Sequence, residues 1–152
     1  MNAPFNLKKS ARRRSRETAL QCLYQWLISP TEVGLILAHA QEFDEFKKCD
    51  KRHFEKILQG CIQDQPQLDA LISLHIDRKI NELSPVEHAT LLIGAWELKF
   101  GIDIPYKVII NEAVELAKLF GATDGHKYVN GVLDKMATQL RDIEIQSQRT
   151  ST

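Results

Sequence analysis

Four arginines stand within five positions near the start of the chain, at Arg12, Arg13, Arg14 and Arg16. The planar guanidinium group forms paired hydrogen bonds to phosphate oxygens and stacks on nucleic-acid bases. Lysine would serve equally well on a helix end that is merely solvated, so the choice of arginine favours phosphate binding. Residues 1–18 hold six basic side chains and one acidic side chain, although the whole chain has no net charge. This asymmetry indicates a local anionic partner.

Two tyrosines could add base stacking to these charges. Tyr24 follows the arginines by two to three helical turns, and Tyr128 lies far along the chain. At helical spacing, Arg12 and Arg16 share the face that later carries apolar residues, so they must leave the core or pair internally. Arg14 is expected to point away from the core. Because this helix shows no exposed apolar face beside its arginines, the pattern favours nucleic acid over a membrane.

A second polar cluster is predicted at the corner between two helices near the C-terminal end. Gly121 stands where a left-handed cap would end one helix, and Asp124 or Thr123 can cap the next. The start of a helix favours anions. On physical grounds alone, however, a well-capped corner of a helical core explains the pattern better than a ligand site. The polar side chains gathered at this corner are Asp124, His126, Lys127 and Tyr128.

No residue pattern in the chain predicts catalysis. Phosphate-binding loops, dinucleotide fingerprints, zinc-protease motifs and serine-hydrolase elbows are all absent from the sequence. Glu112 and Glu115 have the spacing of helical di-iron ligands, but the accompanying Glu-x-x-His motifs are missing, so a solvated helix face is expected. Cys49 and His53 fall short of the four ligands of a closed zinc site. We therefore predict a protein that is not an enzyme and needs no cofactor or metal.

The cellular setting is predicted from what the sequence lacks. The three cysteines form no close pair, which is typical of reduced thiols in a reducing compartment. The basic start runs into an amphipathic helix rather than an apolar signal segment. The longest apolar run, residues 89–96, is too short to span a bilayer. These features predict a cytoplasmic protein without a membrane partner.

The elements that must position these residues all read as helices, because apolar residues recur at helical spacing and no stretch alternates usefully with period two. Ser10 and Asp50 can each cap a helix. Ser84 begins the most apolar helix, with Pro85 in the first position and Glu87 completing a capping box. We predict an all-α fold, a compact single domain of about seven helices. Its predicted parts are a flexible basic arm at 1–9, a helical domain at 10–141 and a polar tail at 142–152.

Three segments resemble the NusB family. Residues 12–26, RRRSRETALQCLYQW, are similar to its N-terminal helix, and residues 83–98 to its central helix. Residues 104–136 resemble its C-terminal signature most closely, whereas residues 30–80 match only in helix pattern. The resemblance implies an all-α fold in two bundle-like halves that binds RNA in transcription antitermination. It also implies two direct partners, ribosomal protein NusE and the single-stranded boxA element of nascent ribosomal RNA. RNA polymerase and other antitermination factors would be indirect partners.

The resemblance also assigns roles to individual residues. The predicted RNA-binding set, which includes Lys127 from the polar corner, is Arg12, Arg13, Arg14, Arg16, Tyr24, Phe120, Asp124, Lys127 and Tyr128. The predicted NusE-binding set is Glu87, Tyr24, Phe120 and Asp124. Tyr128 replaces a phenylalanine that is common in the family, which keeps base stacking available and adds a hydroxyl group.

Two alternatives remain open at this point. One is the NusB-like domain of a ribosomal RNA cytosine methyltransferase, which requires a long catalytic domain after the RNA-binding one. Because this chain ends at Thr152, the enzyme would require the sequence to be a fragment. The other is a helical adaptor that binds protein but not RNA, and such an adaptor has no need of the arginine cluster.

Overall fold

The computed structural model describes residues 9–150, and within that range every regular element is helical. This confirms the predicted all-α class, with one helix more than the seven or so expected. The α-helices are α1 Ala11–Ile28, α2 Val33–Ala40, α3 Lys51–Gln63, α4 Gln65–Ser73, α5 Pro85–Phe100, α6 Tyr106–Phe120, α7 Gly125–Leu140 and α8 Asp142–Thr150. Two short 3-10 turns, Asp44–Lys48 and Ile80–Glu82, join α2 to α3 and α4 to α5.

Helix α5 is the central helix that both halves of the molecule share. It packs against α1, α3 and α4 on one side and against α6 and α7 on the other. Its buried residues are distributed around most of its circumference, as expected for a helix covered on most sides. No helix in the described range is long and apolar enough to cross a membrane.

The predicted helix caps at Ser10, Asp50 and Ser84 are confirmed. The Ser10 hydroxyl accepts a hydrogen bond from the Arg13 backbone N–H at 3.0 Å, and Asp50 accepts one from the His53 N–H at 3.1 Å. Ser84 and Glu87 form the reciprocal capping box, in which Glu87 Oε1 lies 3.2 Å from the Ser84 N–H. Each such cap contributes about 1 kcal/mol to helix stability.

The predictions at the corner between α6 and α7 are wrong in two details. Gly121 is extended, with φ −101° and ψ −175°, rather than left-handed. A Cβ at that position would lie 2.7 Å from the Ala117 carbonyl oxygen, so close approach to the helix end explains the glycine. Asp124 occupies the N-cap position of α7, but its side chain makes no capping hydrogen bond.

The segment after Arg141, predicted as a polar tail outside the helical domain, is helical as far as residue 150. Residues 142–150 form α8, and Arg141 itself is buried beside it. Its guanidinium group donates to four carbonyl oxygens around the end of α5 and the loop that follows, at 2.8 to 3.2 Å: those of Glu97, Leu98, Gly101 and Ile104. It also donates to Glu144 at 2.6 Å, which holds the start of α8 in place. Of the predicted basic arm, residues 1–8 lie outside the described range.

The three cysteines are unpaired and buried, in agreement with the expected reduced thiols. Burial raises the pKa of Cys22 to about 12 and that of Cys61 well above its ordinary value. A thiol that stays protonated is a poor nucleophile and a poor metal ligand. These cysteines therefore serve as small apolar core residues.

Candidate nucleic-acid and partner interface

The four arginines at the start of α1 have different environments. Arg12 is the most open, with 47% of its side chain exposed and its Nε 3.8 Å from Asp50. Arg13 is partly exposed and donates two hydrogen bonds to Glu112 of α6, at 3.0 and 2.7 Å. These bonds raise the pKa of Arg13 above its ordinary value. Arg12 and the open part of Arg13 are thus the positive charges that this helix presents to solvent.

Arg16 lies inside the protein, although the sequence placed it among the RNA-binding residues. Only 3% of the residue is exposed. Its Nε and Nη2 donate to the two carboxylate oxygens of Glu97 at 2.8 and 2.9 Å, and its Nη1 lies 3.5 Å from Glu112. In this position the guanidinium group cannot reach a ligand at the surface. Helical spacing allowed Arg16 either to leave the core or to pair inside the protein. The structure shows that it pairs inside the protein.

Two further expectations about charged side chains are corrected. Arg14 does not point freely into solvent, because the 3-10 turn Asp44–Lys48 covers it and its Nη1 donates to Glu45 at 3.0 Å. Glu112 is not on a solvated helix face, since only 14% of its side chain is exposed and it accepts the two bonds from Arg13. In both cases the partner comes from a distant segment, which helical spacing cannot reveal.

The buried arginine belongs to an ionic cluster that joins four helices. Glu97 of α5 accepts bonds from Arg16 of α1 and from His53 Nε2 of α3, the latter at 3.1 Å. Glu112 of α6 extends the cluster to Arg13. Burial pushes the pKa of Glu97 up, but the hydrogen bonds from His53 and Arg16 outweigh burial and leave that pKa below its ordinary value. The start of α1 is therefore anchored by charge.

Tyr24 and Phe120, which were predicted to act together, line one cavity of about 480 Å³. The cavity lies where α1 meets α2, the start of α5 and the end of α6. Tyr24 is 39% exposed to solvent. Phe120 is more enclosed, since it packs partly buried against the core. The other lining residues are Leu20, Gln21, Gln25, His39, Phe43 and Val86. A cavity lined by both apolar and polar side chains, with an exposed aromatic ring at its edge, can receive a base or an apolar side chain.

The other predicted residues lie around the α6–α7 corner, beside that cavity. Glu87 is adjacent to the start of α7, because a Cβ on Gly125 would be 3.8 Å from its Oε2. Asp124 and Lys127 are both more than 70% exposed and lie 3.5 Å apart. Two carboxylates, Glu87 and Asp124, therefore flank the start of α7, where they suit a basic partner.

Tyr128 is not free on both faces of its ring. The guanidinium carbon of Arg78 lies 4.2 Å from the ring centroid, and the tyrosine hydroxyl donates to Asp77 at 3.2 Å. A base can stack only on the opposite face unless Arg78 moves. Asp77 and Arg78 are distant from Tyr128 along the chain, and no local sequence pattern could have placed them against its ring.

The fold and these surfaces define an all-helical domain with a basic end on α1 and an aromatic cavity bordered by carboxylates. The sequence profile of the NusB family matches residues 13–138. The chain belongs to the NusB family.

Relatives and solved structures agree with that assignment. The chain is 57% identical over 141 residues to the transcription antitermination protein NusB of Paraburkholderia phytofirmans, covering 93% of this chain and 98% of that one. It is 54% identical over 141 residues to the protein of the same name from Cupriavidus pinatubonensis, covering 93% and 84%. A structure of T. maritima NusB superposes with a TM-score of 0.74 at 32% identity, covering 86% and 93%. A structure described as antitermination factors NusB and NusE in complex with dsRNA has the same fold, with a TM-score of 0.72, 23% identity and coverage of 84% and 96%.

Replacing Glu97 by glutamine is expected to lower the free energy of unfolding by about 3 kcal/mol at pH 7, because buried Arg16 loses its paired carboxylate and keeps only the more distant Glu112, 3.5 Å from its Nη1. The pKa of Glu97 is lower in the folded protein than in the unfolded chain, where it is about 4.3. The carboxylate therefore stabilises the fold fully above that value, and its contribution is lost as the pH falls through the folded pKa. Urea unfolding at pH 7 and in acid measures both effects.

The difference in stability between the parent protein and Glu97→Gln should consequently shrink in acid. Glu115→Gln is the matched control, because Glu115 is 39% exposed and its ion pair with Lys118 is at the surface. That control should stay within about 0.5 kcal/mol of the parent. An equal difference at both pH values would show that the charge of Glu97 is not what stabilises the cluster.

Proposed function

We propose that this chain is a transcription antitermination factor that binds the boxA element of nascent ribosomal RNA together with ribosomal protein NusE. Membership of the NusB family supports the proposal, as do relatives of that name that match more than nine tenths of the chain. The role is one of binding rather than catalysis. It places the protein in the cytoplasm, where it reaches RNA polymerase and other antitermination factors indirectly.

The observation that carries the RNA part of the proposal is the layout of α1. Its open arginine, Arg12, and its exposed aromatic ring, Tyr24, lie twelve residues apart on one rigid helix, a rise of roughly 18 Å. A single RNA strand laid along this helix can place phosphates on Arg12 and Arg13 and stack a base on Tyr24. Arg16 does not contact the RNA in this proposal. It contributes indirectly, because its ion pair with Glu97 holds the start of α1 against the core.

The NusE part of the proposal is supported by the surface around the aromatic cavity. Tyr24 and Phe120 supply apolar area at its rim, and Glu87 and Asp124 supply negative charge close by. Ribosomal proteins are usually basic, so a cavity bordered by carboxylates complements them. A surface of this kind combines partly exposed aromatic side chains with nearby charges, as protein interfaces commonly do.

A filter-binding titration tests the RNA function directly. Single-stranded boxA RNA, a scrambled strand of equal length and the corresponding duplex are each titrated at several salt concentrations, with and without NusE. Each phosphate neutralised on a single strand adds roughly 0.7 to the slope of log affinity against log salt. We expect a clear salt slope, a preference for boxA and tighter binding with NusE. Binding of NusE without RNA binding in any arm would instead identify a protein adaptor.

Replacing Tyr24 by alanine is expected to weaken binding of boxA RNA by roughly 1–3 kcal/mol, because a base loses its stacking surface. Tyr24→Phe is the matched control, since it keeps the aromatic ring and removes only the hydroxyl group. The circular dichroism of both variants should equal that of the parent, as Tyr24 is 39% exposed. If helicity falls together with RNA binding in Tyr24→Ala, the ring serves the core and not the RNA.

Replacing Glu87 by glutamine or by lysine separates its two roles. Glutamine can still accept the Ser84 N–H of the capping box, so the melting temperature should hardly change. Loss of the charge should weaken the NusE complex roughly two- to fivefold, and lysine should weaken it further, mainly through slower association. The measurement is surface plasmon resonance with NusE. The assignment fails if Glu87→Gln binds as tightly as the parent while Glu87→Lys only lowers thermal stability.

A further inference from the structure

A second basic surface lies beside the start of α1, on the first two turns of α3. Arg12 of α1 and Arg52, His53 and Lys56 of α3 line a small polar cleft of about 180 Å³, together with Asp50. This volume is several times the roughly 30 Å³ that one water molecule occupies in the liquid. The cleft therefore has room for a hydrated ion or a phosphate group.

Among the described residues, the cations of this cleft lack close acidic partners. Arg52 and Lys56 are exposed, and no carboxylate of the described residues lies within 4 Å of either. Arg12 has one weak contact, the 3.8 Å separation from Asp50, and within residues 9–150 Asp50 is the only acidic group that lines the cleft. Three cations against one carboxylate leave the cleft positive. It can therefore attract an anion without first breaking a close ion pair.

The cleft is also held rigidly. The Asp50 N–H donates to the Ala11 carbonyl oxygen at 3.2 Å, and the Ser15 hydroxyl donates to the Asp50 carbonyl oxygen at 2.6 Å. These bonds fix the start of α3 against the start of α1. His53 is nearly buried, and Glu97 holds its Nε2 from behind at 3.1 Å. A preorganised site of this kind spends little binding energy on ordering its own groups.

The surface around the cleft is also positively charged. Residues 47–56 hold five basic side chains and two acidic ones, and Lys47, Lys48 and Lys51 extend the surface beyond the cleft. None of these three lysines has an ion pair among the described residues, although Lys51 lies 5.1 Å from the centroid of the Phe46 ring. A strip of cations without close ion pairs, beginning at Arg12, fits a polyanion with regularly spaced charges better than it fits a single small anion.

We propose that the cleft formed by Arg12, Arg52, His53 and Lys56 binds backbone phosphate of the RNA, so that the strand runs from α1 onto α3. This inference rests on the proposed RNA-binding function and extends its surface to a helix outside the predicted RNA-binding set. Arg52 and Lys56 make the phosphate contacts, and His53 forms the floor. Because such contacts carry no base information, they add affinity for any single strand rather than preference for boxA.

The test is a salt titration of single-stranded boxA RNA with the double variant Arg52→Gln, Lys56→Gln. Loss of two phosphate contacts should lower the slope of log affinity against log salt by about 1.4 and weaken binding roughly tenfold or more at low salt. The preference for boxA over the scrambled strand should not change. The single variant Arg52→Lys keeps both positive charges of the cleft, so its slope should be close to that of the parent protein.

Lys107→Gln with Lys135→Gln is the matched control. It removes the same charge from exposed positions on α6 and α7, away from the cleft, and should leave the slope close to that of the parent. Thermal melting of all the variants checks that the fold is intact.

The outcomes separate this inference from the function on which it rests. If the Arg52, Lys56 double variant keeps the parent's slope while Tyr24→Ala loses RNA binding, the function stands and the cleft is not part of the RNA track. If the double variant and the control lower the slope equally, only the overall charge matters, and the proposal that this cleft binds RNA phosphate is refuted. If the double variant loses NusE but keeps RNA, the cleft is a protein-docking surface. If the parent binds no RNA, the function and the inference fall together.

Discussion

The buried ion pair between Arg16 and Glu97 is the constraint on which the geometry of the binding surface depends. Isolated charges cannot be buried without a large loss of hydration energy, so each must find its partner when the helices close. Glu97 meets this condition by accepting bonds from α1 and α3 at once. Glu112 continues the cluster to Arg13 at the surface. The register of α1 against α3, α5 and α6 is thereby fixed at its basic end.

That internal cluster also decides which positive charges remain for a ligand. Arg16 is buried and paired with Glu97, so it is not available to a ligand. Glu112 and Glu45 partly neutralise Arg13 and Arg14. The positive charges that remain exposed are therefore those of Arg12 and of the start of α3. A basic helix that looks uniform along the sequence thus becomes one buried anchor, two shielded charges and one open contact. Affinity for a polyanion then depends on the neighbouring helix as much as on α1.

A second anchor, Arg141, lies at this same C-terminal end of α5. The last carbonyl oxygens of a helix have no partner within that helix. Arg141 supplies donors to the carbonyls of Glu97, Leu98 and Gly101, and at the same time pairs with Glu144. One side chain therefore caps the central helix and attaches α8. The residue at position 97 is involved in both anchors, through its carboxylate toward Arg16 and its carbonyl toward Arg141.

The sequence by itself determined the helical class, the caps at Ser10, Asp50 and Ser84, and the likeness to a family, because these depend on residues within a few positions of one another. Only the tertiary structure decided which charges are free. Arg16 and Glu97 are 81 positions apart, and Arg13 and Glu112 are 99 apart. Helical periodicity places a side chain on a face, but the partner on that face comes from another helix. Ionic partners are therefore chosen by packing, which no local pattern records.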